Sequence, residues 1–135
     1  MTYVPIIVPF YAAILAIIFI GLSMRVARMR GETKIGIGAG GNPVLERRVR
    51  VQANFAEYVP FALLLLAFLE MQQHSRYLIH LLCLALIIGR IIHAYGVSQD
   101  DEDVRFRIAG IIITAAVILV AAILLLINGL RAVFP

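Results

Sequence analysis

The sequence predicts an all-α protein, an integral membrane bundle of four helices in left-handed up-down-up-down order. Three observations carry that prediction. Hydrophobic residues make up 62% of the 135, charged residues only 15%, and the mean hydropathy is +0.97, far from the balance of an ordinary soluble domain. The apolar residues fall into four stretches, and a chain of 135 residues holds about four spans of roughly 20 residues with short connections and no separate soluble domain. The basic residues are distributed unevenly about those stretches. A single four-span domain covering residues 1–135 is the expected organisation.

The first helix is expected over about residues 4–30, because Val4 to Met24 carries no charge, opens with the helix-compatible Pro5 and Pro9, and ends at Arg25, Arg28 and Arg30. A cleaved signal peptide has its basic cluster before the apolar core; here the cluster follows it, so the segment is expected to stay in the mature protein. Gly31 to Pro43 contains GIGAGGNP and reads as a flexible loop, without the Gly-Lys-Ser/Thr of a phosphate-binding loop. The second helix starts near Pro43 or Val44 and spans about 44–72, the third about 75–96 and the fourth about 104–131.

Of the 12 lysines and arginines, Arg25, Arg28, Arg30, Lys34, Arg47, Arg48, Arg50, Arg90, Arg105 and Arg107 lie at the first and third connections, against Arg76 and Arg131 at the other end. Basic residues near span ends mark the cytoplasmic side, so both termini are expected to face away from the cytoplasm, in an inner or plasma membrane. The net charge of +4 is thereby explained by orientation, not by nucleic acid, since no soluble face interleaves bases with aromatics. Cys83 is the sole cysteine and sits in the apolar run LIHLLCLALIIG, which excludes an intrachain disulfide or cysteine metal cluster and reads as a packed thiol. No metal site is expected.

The informative stretch is ERRVRVQANFAEYVP, which opens the second helix directly before FALLLLAFL. At about 100° per residue, Arg50, Asn54 and Glu57 fall within a sector roughly 60° wide. Ionisable groups at membrane depth cost a few kcal/mol or more, so such a stripe faces a bundle interior or a polar cavity. It reads either as an ion-pair and hydrogen-bond network that holds helices together or as a binding surface for a zwitterion. Both charge signs plus an amide favour the second: Arg grips a carboxylate, Glu an ammonium, and Asn an amide backbone. Pro60 lacks the N–H of a helix interior and bends the same helix below the stripe.

The expected topology brings the start of helix 2, the end of helix 3 and the start of helix 4 to one membrane face, where Arg90 and His93 join the stripe. His80 falls toward the opposite half of helix 3 and His74 in a loop, both with structural roles. The acidic run Asp100, Asp101, Glu102 and Asp103 lacks the spacing and glycine of a calcium loop and reads as a solvated turn before helix 4. Either Arg105 or Arg107 points inward from helix 4. Arg107 is favoured because Gly110 and Thr114 continue its face with small residues.

These residues carry a family resemblance. ERRVRVQANFAEYVPF resembles the helix-2 signature of the MAPEG superfamily, membrane-associated proteins in eicosanoid and glutathione metabolism, with Arg50, Gln52, Asn54, Glu57, Tyr58 and Pro60 fitting Arg-x-Gln-x-Asn-x-x-Glu-Tyr-x-Pro. These residues closely match the leukotriene-forming branch. GRIIHAYG, with Arg90 and His93, is similar to the helix-3 motif of the prostaglandin E synthase branch, and RIAGIIIT from Arg107 to the family's fourth-helix start. The resemblance covers nearly all of the chain and implies a homotrimer of four-helix subunits that binds glutathione between neighbours near the cytoplasmic face. It implies glutathione contacts from Arg28, Arg50, Gln52, Asn54, Glu57, Tyr58, Arg90 and His93, with Arg25 as the alternative to Arg28. Arg107 is the implied catalytic residue, its guanidinium favouring the thiolate of glutathione.

The implied activity is that of a transferase or peroxidase acting on lipophilic electrophiles or lipid hydroperoxides that arrive through the bilayer. Two positions depart from the family's animal synthases: Val97, seven residues after Arg90, and Ile111, four after Arg107, stand where tyrosines occur. Tyr95 is nearby but out of register. A non-catalytic lipid- or glutathione-binding scaffold of the same fold is the alternative. A small four-span exporter of lipophilic cations is more remote, because its first span would need a membrane-embedded acid, whereas that span has no charge before Arg25 and the sole embedded acid, Glu57, is flanked by arginines.

Overall fold

The computed structural model describes residues 4–99 and 103–134. Among them the chain forms four helices and no strand: α1 (Ile7–Thr33), α2 (Pro43–Met71), α3 (Arg76–Ser98) and α4 (Val104–Val133). All four are long and apolar enough to cross a bilayer, so the all-α integral membrane bundle expected from composition is the fold of this chain. α2 and α3 each contact every other helix, whereas α1 and α4 make no contact with one another among the described residues. α2 and α3 therefore form the short diagonal of the bundle, with α1 and α4 as its outer members.

The largest difference from the sequence expectation is at α1, which starts at Ile7 and runs through Gly31 to Thr33 before Lys34 turns left-handed at φ 56°. Thr33 Oγ1 donates to the Met29 carbonyl at 2.8 Å inside that last turn. Arg30 Nη1 then donates to the carbonyls of Ile35 and Gly38, at 3.1 and 3.0 Å, and straps the glycine-rich loop to the helix. Beyond the loop, Asn42 caps α2 by accepting from the Leu45 amide at 3.0 Å, and Pro43 occupies the first turn, where its missing N–H is no loss.

A buried acid fixes the other end of α1. Ile6, at its N-cap, brings no side-chain cap of its own. Instead Glu70, only 1% exposed at the end of α2, accepts from the amides of Ile6 and Ile7 at 2.7 Å each and of Val8 at 2.8 Å. The next residue, Pro9, has no N–H, so the carboxylate serves the free donors of the first turn and opposes the positive end of the helix dipole. Glu57 is thus not the sole embedded acid: the sequence places Glu70 at the margin of a turn, and tertiary packing buries it.

The same end carries Tyr11, whose hydroxyl lies 3.0 Å from His80 Nδ1, and Asn128, whose Nδ2 lies 2.7 Å from both Gln72 Oε1 and His74 Nε2. His74 and His80 therefore join helices at the end that holds both termini. Cys83 is fully buried. Of the acidic run, Asp100, Asp101 and Glu102 lie outside the described residues; Asp103 caps α4, accepting from the Arg105 amide at 3.0 Å.

α3 and α4 meet backbone to backbone. A Cβ on Gly110 would lie 2.6 Å from the Gly89 carbonyl oxygen and from the Cβ and N of His93, and one on Gly96 would lie 2.7 Å from the Arg107 nitrogen. Small residues permit such approach in membranes, where helix association draws on van der Waals contact. Gly110→Val is expected to push α4 off α3 and to lower stability by about 1–3 kcal/mol, as overpacking does. Thermal unfolding in detergent measures it, and Gly129→Val, where an added Cβ meets nothing within 4 Å, is the control.

Candidate functional site

At the end of the bundle opposite the termini, α2, α3 and α4 enclose a cleft of about 370 Å³, lined by Pro43, Glu46, Arg47, Arg50, Asn54, Glu57, His93, Val97, Arg107 and Ile111. Its size lies within the range of small-molecule sites, about 300–1,000 Å³. The α2 members recur at three- and four-residue intervals and so form one continuous helical face. The core face of the same helix, Val51, Phe55, Val59, Ala62 and Leu66, is buried. Burial of that face turns the polar stripe sideways, toward α3 and α4.

Arg50 and Glu57 are exposed to the cleft and hold opposite charges two turns apart, with no hydrogen bond or ion pair to other described residues. His93 contributes from α3, 5% exposed, and Arg107 from the first turns of α4. The glycine contact explains why Arg107 and not Arg105 reaches the cleft: Gly110 seats against His93, and Arg107, three residues earlier, is carried to the same side. Tyr95 points elsewhere, 55% exposed with its ring edge-on to Phe106 at 5.5 Å. Val97 and Ile111 both line the cleft, one turn from His93 and Arg107 respectively, and make that end of it apolar.

Arg28, Gln52, Tyr58 and Arg90 do not line the cleft. Arg28 is exposed on α1, as is Arg25, whose carbonyl accepts from Arg48 Nη1 at 3.4 Å. Gln52 lies about 160° around α2 from Arg50, on the side toward α1. Arg90 stands behind the cleft wall, 2% exposed, where Nη1 donates to Asn54 Oδ1 at 2.7 Å and Nη2 to the Gly110 carbonyl at 3.3 Å. Its guanidinium carbon is 5.7 Å from the Tyr58 ring centroid, within cation–π range. Sequence reasoning missed Pro43, Glu46 and Arg47, although the spacing that joined Arg50, Asn54 and Glu57 extends back to them. No group of metal-ligating side chains occurs among the described residues.

Comparison with known proteins adds to this geometry. The sequence model of the MAPEG family matches residues 8–127. The inner membrane protein YecN of Escherichia coli strain K12 is 33% identical over 86 residues, which cover 64% of this chain and 66% of that protein. The same protein from Escherichia coli O6:H1 strain CFT073 matches to the same extent. The chain thus spans just under two thirds of the length of the curated relatives it matches.

Proposed function

The chain belongs to the MAPEG family, and from that premise we propose that it is a glutathione-dependent transferase or peroxidase of the inner membrane, acting on lipophilic electrophiles or lipid hydroperoxides. The observation that carries this reading is the pairing of Arg50 and Glu57 across Asn54 on one wall of the cleft, with Arg107 on the other. Glutathione has two carboxylates, an ammonium and two peptide groups, and this wall offers a partner for each kind.

In this reading the thiol lies at the α4 side, where Arg107 stabilises the thiolate, and each unit of thiol pKa lowering corresponds to about 1.4 kcal/mol. The thiolate then attacks an electrophilic carbon, forming a C–S bond as the leaving group departs. With a hydroperoxide it attacks the terminal oxygen, the O–O bond breaks, and the alkoxide leaves and is protonated to the alcohol; a second glutathione then attacks the resulting sulfenic acid, giving the disulfide and water. Val97 and Ile111 leave the acceptor an apolar approach beside the sulfur.

The proposed assembly is a homotrimer with the cleft at a subunit boundary near the cytoplasmic face and both termini on the other side. Arg28 and Gln52, which turn away from their own subunit's cleft, would then serve a neighbour's. The same apolar Val97 and Ile111 favour a second reading, a non-catalytic glutathione- or lipid-binding scaffold. Purified protein supplied with glutathione and an aryl halide or a lipid hydroperoxide separates the two: turnover supports the enzyme, and binding without turnover the scaffold. Glu57→Ala is expected to weaken glutathione binding about 10- to 100-fold, the size of a lost charge-assisted hydrogen bond. Isothermal titration in detergent checks it; unchanged affinity removes the ammonium contact.

A further inference from the structure

Asn54 occupies the middle of the charged wall, and an asparagine amide is ordinarily ambidextrous. Its oxygen and nitrogen are nearly isosteric, so it can face a ligand with either an acceptor or two donors. Here one side of the amide is committed. The guanidinium behind it has five N–H donors and no acceptor, so it can only meet Oδ1, as it does at 2.7 Å. Turning the amide over would set NH₂ against guanidinium, donor against donor, beside a buried arginine.

The guanidinium has no freedom to accommodate such a turn. It is 2% exposed, its second amino group is bonded to the Gly110 carbonyl, and its plane is held near the Tyr58 ring. Its Nε, buried and without a partner, offers no alternative acceptor. Asn54 Nδ2 makes no hydrogen bond to other described residues, and the residue lines the cleft. What remains for a ligand is therefore the donor end.

We propose that Arg90 is a positioning residue that fixes the polarity of the Asn54 amide, making that point of the cleft a hydrogen-bond donor and selecting ligands that bring a carbonyl or carboxylate oxygen to it. From Arg50 to Glu57 the wall then reads donor, donor, acceptor, the complement of a ligand carrying two oxygen acceptors and one ammonium. The ligand side of this inference rests on the glutathione reading given above. Arg90 acts through Asn54 without touching the ligand.

The test compares Asn54→Asp, Asn54→Ser and Asn54→Leu in thermal unfolding and in glutathione titration. Aspartate keeps an acceptor for Arg90 but has no donor for the ligand. It is expected to melt at or above the wild-type temperature and yet to bind glutathione at least 10-fold more weakly. Serine, whose hydroxyl accepts from Arg90 and donates to the ligand, is expected to retain more affinity than either other variant. A merely structural role predicts that affinity follows melting temperature. Asn54→Asp binding within threefold of wild type, or melting no higher than Asn54→Leu, overturns the inference. If the wild-type protein binds no glutathione, the proposed function fails by itself, and the melting order of Asp and Leu still decides the Arg90 clamp.

Discussion

Arg107→Ala is expected to reduce kcat for conjugation or peroxide reduction about 100- to 1,000-fold, the effect of removing one donor that stabilises developing or full negative charge. The residue stands at the start of α4, on the cleft wall shared with His93, one turn from the apolar Ile111. With Val97 and Ile111 apolar, neither of those two positions brings a hydroxyl to a sulfur bound there. The loss should therefore fall on kcat and on the ultraviolet absorbance of bound thiolate more than on glutathione affinity, which draws on Arg50, Asn54 and Glu57. Arg107→Lys, which keeps the charge but not the planar fork, should fall between. Full activity in Arg107→Ala would remove the residue from the chemistry.

Glu70→Ala is expected to cost about 2–4 kcal/mol of stability, more than the ~1 kcal/mol of an ordinary N-cap because several amide donors lose their acceptor together. Three amides at the head of α1 lose their acceptor at once, the buried one of Val8 among them. Hydrogen exchange at Ile7 and Val8 should rise well before that of the α3–α4 contact. The cleft lies at the far end of the bundle, so glutathione affinity of the folded protein should not change. An unshifted melting temperature would contradict the role assigned to Glu70. Glu70→Gln, which keeps one acceptor oxygen, should lose less.

Much of the fold was legible because bilayer physics makes spans long and apolar, and because the charges sit between them. The stripe of Arg50, Asn54 and Glu57 was legible as well, since helical periodicity alone sets those three on one face. Three features were not. Glu70 looks like the polar end of a helix followed by a turn, and only the fold brings it to the backbone of Ile6 to Val8 across more than 60 residues. Arg90 reads as a ligand contact by its motif, yet burial and two hydrogen bonds place it behind Asn54. Arg28 and Gln52 belong to the same motifs and yet do not line the cleft, because spacing along the chain does not say which helix faces turn toward it.

Glutathione is proposed to sit in the cleft between α2, α3 and α4, at a subunit boundary. An experimental structure of the protein in lipid with glutathione tests it most directly. Tripeptide density is expected in the cleft, with a carboxylate against Arg50, an ammonium against Glu57, an oxygen against Asn54 Nδ2, the sulfur beside Arg107, and Arg28 arriving from a neighbouring subunit. A cleft that stays empty at saturating glutathione, or tripeptide bound at the end that carries Glu70 and the termini, would contradict it.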